Sequence, residues 1–164
     1  MSTATADRAP SFWQRRIVTP IVVQLTQGVT PEKIALTVAL GGALSLFPIL
    51  GSTTILCALA GIWFRLNQPI IQLINYLAYP LQLILLIPFY RAGEHLLGRE
   101  PIPLSIALFF ERIRAGFLQF LKDFGMVAVG GILVWVILAP VFVAALYFLT
   151  RAPLRVLANR IQRS

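Results

Sequence analysis

The chain has 164 residues, 58% of them hydrophobic, with fourteen basic and six acidic side chains and a net charge of +8. Globular chains sit nearer about 45–50% apolar, so with a mean hydropathy of +0.81 a soluble domain is excluded in favour of a membrane protein. A basic soluble chain would point to nucleic acid, but these bases flank apolar runs, where anionic headgroups account for them and nucleic acid is not expected. The single cysteine, Cys57, lies inside an apolar run, which excludes a disulfide framework and a thiolate metal site.

Residues 1–11 are small and polar and are expected to be disordered. From Phe12 to Gln27 the chain reads as a short amphipathic stretch suited to the headgroup level. Arg15-Arg16 precedes only a brief apolar stretch interrupted by Pro20, so it reads as a cytoplasmic retention charge rather than an export signal. Thr30-Pro31-Glu32 then starts a helix, with a hydroxyl N-cap, proline at the first position and an acid in the first turn.

Ile34 to Phe64 carries no charge. A straight crossing needs roughly 20 apolar residues, so this run is too long for one helix. Pro48 and Gly51 divide it into halves too short to cross alone. Thr37, Gly41 and Ser45 fall four apart, as do Ala35, Ala39 and Ala43, which gives two small faces that allow close backbone approach. Ser52-Thr53-Thr54 is expected to cap a second half-helix, closed by Arg65. Irregular backbone of this kind is tolerated at membrane depth only inside protein or beside a cavity.

The second run, Leu66 to Tyr90, contains Pro69, Pro80 and Pro88, and Pro80 is expected to kink or break it. Gln68, Gln72, Asn75, Tyr79 and Gln82 are spaced to share one helical face. This polar stripe has two readings: hydrogen-bond glue between helices, or the wall of a hydrophilic groove. A polar loop is expected from Arg91 to Pro103, then an amphipathic interfacial helix from Leu104 to Phe124 and a turn at Gly125. Met126 to Leu149 is long enough to cross, with a kink at Pro140, and a basic tail holds Arg151, Arg155, Arg160 and Arg163. The segments are therefore 1–29 interfacial, 30–98 membrane core, 99–124 amphipathic helix, 125–150 spanning helix and 151–164 cytoplasmic tail.

Basic residues at both ends place both termini in the cytoplasm, which requires an even number of crossings. Either one of the first two runs is a re-entrant hairpin, the first being favoured, or the first run makes two short tilted crossings. The fold class is an all-α integral membrane protein: a small polytopic bundle with broken or re-entrant helices plus amphipathic interfacial helices.

Thr30 to Gly98 resembles an uncharacterised bacterial membrane family, domain of unknown function 2062. The resemblance is carried by Pro31 with Ile34-Ala35, Gly41 and Gly42, Pro48 with Gly51 and Thr54, Arg65-Leu66-Asn67, and Tyr90 with Gly93. It implies a small multi-pass protein of the bacterial inner membrane, with an envelope glycosyltransferase-type partner through relatives fused to such domains. The family's usual Asn-Pro and following threonine are replaced here by Tyr79-Pro80 and Gln82, which puts that position's role in question.

Catalytic chemistry is not expected. His95 sits beside Glu94 in a polar stretch, no metal-ligand cluster exists, and Ser52, Thr53 and Thr54 lack a base. No cofactor is implied. The binding hypothesis is that Arg65, Asn67 and Arg91 hold a lipid phosphate, with half-helix N-termini at Ser52 and Leu81 pointing toward it, while Gln72, Asn75, Tyr79 and Gln82 line the path. Arg65 and Arg91 as plain interfacial anchors is the competing reading. The expected function is binding or translocation of an anionic lipid or lipid-linked envelope precursor. The rival is a non-transporting adaptor for envelope enzymes, and an oligomer is compatible with either.

Overall fold

The computed structural model describes residues 29–100 and 116–161, together with Thr19 and Val23; for 117–124 and Ile161 it describes the backbone alone. The N-terminal amphipathic stretch and most of the expected interfacial helix lie outside the described residues. Four helices follow one another: α1 Pro31–Ser45, α2 Thr53–Trp63, α3 Gln68–Leu96 and α4 Phe117–Ile161.

α1 begins as its sequence dictates. Thr30 Oγ1 accepts the Lys33 amide at 3.3 Å and Pro31 takes the first turn, where no donor is missed. The helix stops at Ser45; Leu46 and Phe47 tie their amides back to the carbonyls of Ala43 and Leu44, and Pro48 then prevents continuation. Gly51, at φ +83°, turns the chain through a conformation that side chains avoid. Ser52 does not cap α2 with its side chain as expected; its hydroxyl donates to the Ile49 carbonyl at 2.8 Å inside the turn. α2 then runs back along α1, burying Cys57 near Ser45. The first apolar run is thus a helical hairpin, with arms of about 22 and 16 Å at 1.5 Å per residue.

Pro80 does not break the second run. α3 is one helix of 29 residues with Pro80 and Pro88 inside it, so it has no half-helix N-terminus at Leu81. A lone proline deletes one donor and crowds the carbonyl four residues back, but reversal of the chain also needs a residue free to take positive φ. Between Gln68 and Ala92 there is no glycine. The polar loop expected from Arg91 also gives way to helix as far as Leu96, and the turn expected at Gly125 is absent. α4 passes through Gly125, Pro140 and Pro153 for 45 residues, so the basic tail continues this helix to Ile161.

α1 packs against all three other helices. Both small faces serve this role: Ala35, Ala39, Ala43, Thr37, Gly41 and Ser45 are all buried. Ile34 and Ala35 meet Leu154, while Ala43 meets Trp135, so α1 and α4 are antiparallel. Where α3 and α4 cross, a Cβ on Gly93 would lie 2.2 Å from the Gly130 backbone. One end of the bundle, the base, therefore gathers the start of α1, the α2–α3 junction and the end of α4. α3 and residues 125–160 of α4 are long and apolar enough to cross a membrane, and Ile84, Ile137, Val141 and Phe148 are exposed along them.

Candidate functional site

Breaking a helix leaves its last carbonyls without partners, and the residues that supply them come from α3 and α4. Gln82 Nε2 donates to the Phe47 carbonyl at 2.8 Å, Tyr90 Oη to Pro48 O at 2.7 Å, and Trp135 Nε1 to Ala43 O at 2.9 Å. The Trp135 ring also stands edge-on to Phe47, with centroids 5.0 Å apart. Lower down, Gln68 donates to Ala58 O, Gln72 to Thr54 O, and Asn75 to the Thr54 hydroxyl, at 2.9–3.1 Å. Four of the five stripe residues thus hold the hairpin against α3. The fifth, Tyr79, faces outward. Gln82 is 1% exposed, and its Oε1, like that of Gln72, has no hydrogen-bond partner.

The structure does not bring the expected phosphate ligands together. Asn67 caps α3, accepting the Ile70 amide at 3.1 Å, while Arg91 lies 24 residues further along the same unbroken helix, about 36 Å away at 1.5 Å per residue. Arg91 pairs at 2.8 Å with Glu94, which is 2% exposed. Arg65 is exposed at the base and has φ 51°. It is the first residue past the α2 cap: its amide reaches Ile62 O, and the Leu66 amide reaches Gly61 O at 2.8 Å. That is the two-bond helix ending in which glycine is usual.

Sequence reasoning missed a second region. Between α1 and α4 runs a groove of about 590 Å³ walled by Leu36, Leu40 and Leu44 on one side and by Val136, Ala139, Val143 and Tyr147 on the other, with Trp135 at its inner end. One helical turn beyond Tyr147 is Arg151, whose guanidinium lies 5.7 Å over the Tyr147 ring. Arg151 Nε is 3.9 Å from Glu32 Oε1 and makes no hydrogen bond. Arg155 takes Glu32 directly, at 2.6 Å; that bond and the guanidinium charges hold the Glu32 carboxyl below its ordinary range. The four-residue spacing of Arg151 and Arg155 was a visible signal, but its partner Glu32 is over a hundred residues distant. Among the described residues no three His, Cys, Asp or Glu side chains gather as metal ligands.

An all-helical bundle with two helices of spanning length and a stitched hairpin thus defines the class. Residues 16–163 match the model of the family described as uncharacterized protein conserved in bacteria, DUF2062, and the chain belongs to that family. The match extends well past the 30–98 region that carries the motif resemblance. Comparison with curated proteins and with solved structures gives no match.

Proposed function

We propose that the protein is embedded in the bacterial cytoplasmic membrane, crosses it with α3 and α4, inserts α1–α2 as a re-entrant hairpin, and holds an anionic lipid at its cytoplasmic side. The observation that carries this reading is the apolar groove between α1 and α4 ending at Arg151 and Tyr147. A lipid needs an apolar channel and a cationic mouth at headgroup level, and the groove supplies both.

Hydrocarbon is the medium that suits the exposed apolar flanks of α3 and α4, since patches this large are costly in water. Neither hairpin arm reaches across a hydrocarbon core of about 30 Å, and the side-chain bonds at its tip satisfy backbone that lipid could not. The polar stripe supports holding rather than carriage. A path along it would require breaking the bonds of Gln68, Gln72, Asn75 and Gln82, each worth about 0.6 kcal/mol in comparable helices.

The test is native mass spectrometry of the full chain released from its membrane in mild detergent. Recurrent retention of one anionic phospholipid or polyprenyl phosphate supports the reading. A stoichiometric protein partner with no lipid would overturn it in favour of the adaptor role.

A further inference from the structure

Leu40 and Leu44 line two cavities. On one side of them is the α1/α4 groove; on the other is a second apolar groove of about 520 Å³ between α1 and α2, closed by Leu56, Leu59, Ala60, Trp63 and Phe64. Leu36, Leu40 and Leu44 follow at four-residue spacing and form a ridge between the two grooves. Lys33, exposed, sits one turn below Leu36 on the same face. We infer that a single two-chain anionic glycerophospholipid straddles this ridge, one acyl chain in each groove, with its phosphate among Lys33, Arg65 and Arg151. This deepens the lipid-holding reading above and rests on it.

The dimensions agree. The α4 wall from Trp135 to Tyr147 spans about 18 Å and the α2 wall from Leu56 to Phe64 about 12 Å, against a single-leaflet hydrocarbon depth of about 15 Å. Both grooves run toward the base, one along the end of α2 and the other along α4. Phe64 at the end of one is followed immediately by Arg65, and Tyr147 at the end of the other is followed one turn on by Arg151. α2 runs back along α1, and Leu66, next to Arg65, belongs to one hydrophobic cluster with Leu36, Leu40 and Leu44, so the α2–α3 junction packs against the ridge. Among the described residues Glu32 is the only acid at this end, and Arg155 engages it. A single-chain polyprenyl ligand would fill one groove and leave the other empty; two chains joined at one glycerol match two slots converging on one cationic mouth.

The experiment titrates delipidated full-length protein with phosphatidylglycerol, lysophosphatidylglycerol and phosphatidylcholine, reading stoichiometry by native mass spectrometry. One phosphatidylglycerol per chain, held more tightly than either competitor, is expected. Leu59→Trp, which crowds only the α1/α2 groove, should bring phosphatidylglycerol down to the lyso level. Arg65→Gly fits the backbone at that position without strain and should weaken phosphatidylglycerol about five-fold, the factor for one interfacial cation. Two lyso molecules bound as tightly as one two-chain lipid would overturn the straddling arrangement while leaving lipid holding intact. Unchanged affinity in Arg65→Gly would overturn the headgroup assignment. If none of the three lipids is retained, this inference falls, while the lipid-holding reading stands or falls on the lipid that co-purifies with the full chain.

Discussion

Gln82 shows what a polar side chain is for inside an apolar helical bundle. Its amide nitrogen closes the Phe47 carbonyl, which would otherwise face apolar surroundings at the point where α1 stops. Gln82→Leu keeps the volume and strands that carbonyl, so the cost is that of an unsatisfied buried acceptor, about 1–3 kcal/mol. Trp135→Phe should cost less, because Ala43 O also accepts the Leu46 amide. Unfolding in mixed detergent micelles checks the order, and equal losses would contradict it. Arg65 gives the opposite case. α3 ends in the same two-bond motif as α2, with Gly98 at φ 62° where α2 has Arg65 at φ 51°. A side chain there costs roughly 1–2 kcal/mol. Arg65→Gly is therefore expected to raise the melting temperature, and a fall would show that the arginine makes stabilising contacts that outweigh its backbone strain.

At the scale of elements, Pro48 and Pro80 are the same residue with different outcomes. Around Pro48 the chain offers Gly51 for the reversal and Ser52 for the turn; around Pro80 it offers leucines and isoleucines, and α3 continues. The rule legible in the sequence was the pairing of proline with glycine, and reading proline alone gave a false break. The hairpin, the N-cap at Thr30 and the two small faces of α1 were legible because they are local or periodic. The groove was not, because its walls lie about a hundred residues apart, and the polar stripe stayed ambiguous until its acceptors on α2 and in the turn before it were located. The α3–α4 seam was hidden for the same reason: nothing near Gly93 marks Gly130 as its neighbour. Gly93→Ala places a Cβ against backbone that has no side chain to move aside. It should destabilise by at least the 1–3 kcal/mol typical of overpacking, whereas Gly98→Ala, with open space around it, should show only the backbone penalty. Equal effects of the two would mean that the helices part easily at this crossing.

For the whole molecule, the Glu32–Arg155 pair links the first turn of the bundle to its last. The depressed Glu32 carboxyl contributes stability above the pKa of the unfolded chain, and that contribution disappears as pH falls through the lower, folded value. The difference in melting temperature between the parent and Glu32→Gln should therefore be present at neutral pH, vanish under acid conditions well below the ordinary 4.5, and shrink in high salt. The pair also constrains topology, because the start of α1 and the end of α4 must then lie on one face of any membrane the protein enters. Two crossings and a re-entrant hairpin satisfy this, and so would four short crossings; the two differ in where the hairpin tip emerges. Among the described residues Lys33, Arg65, Arg151, Arg155 and Arg160 belong to the segments that meet at the base, against Arg91 and Arg99 beyond the other end of α3, and the positive-inside rule predicts that the base faces the cytoplasm. In a Cys57→Ala background, single cysteines at Lys33, Arg99, Leu50 and Arg160 decide the matter. A membrane-impermeant thiol reagent added outside spheroplasts should label position 99 and leave 33 and 160 unlabelled. Position 50, at the tip of a hairpin that stops inside the bilayer, should stay unlabelled from either side, and strong labelling there from outside would replace the re-entrant hairpin with a pair of full crossings.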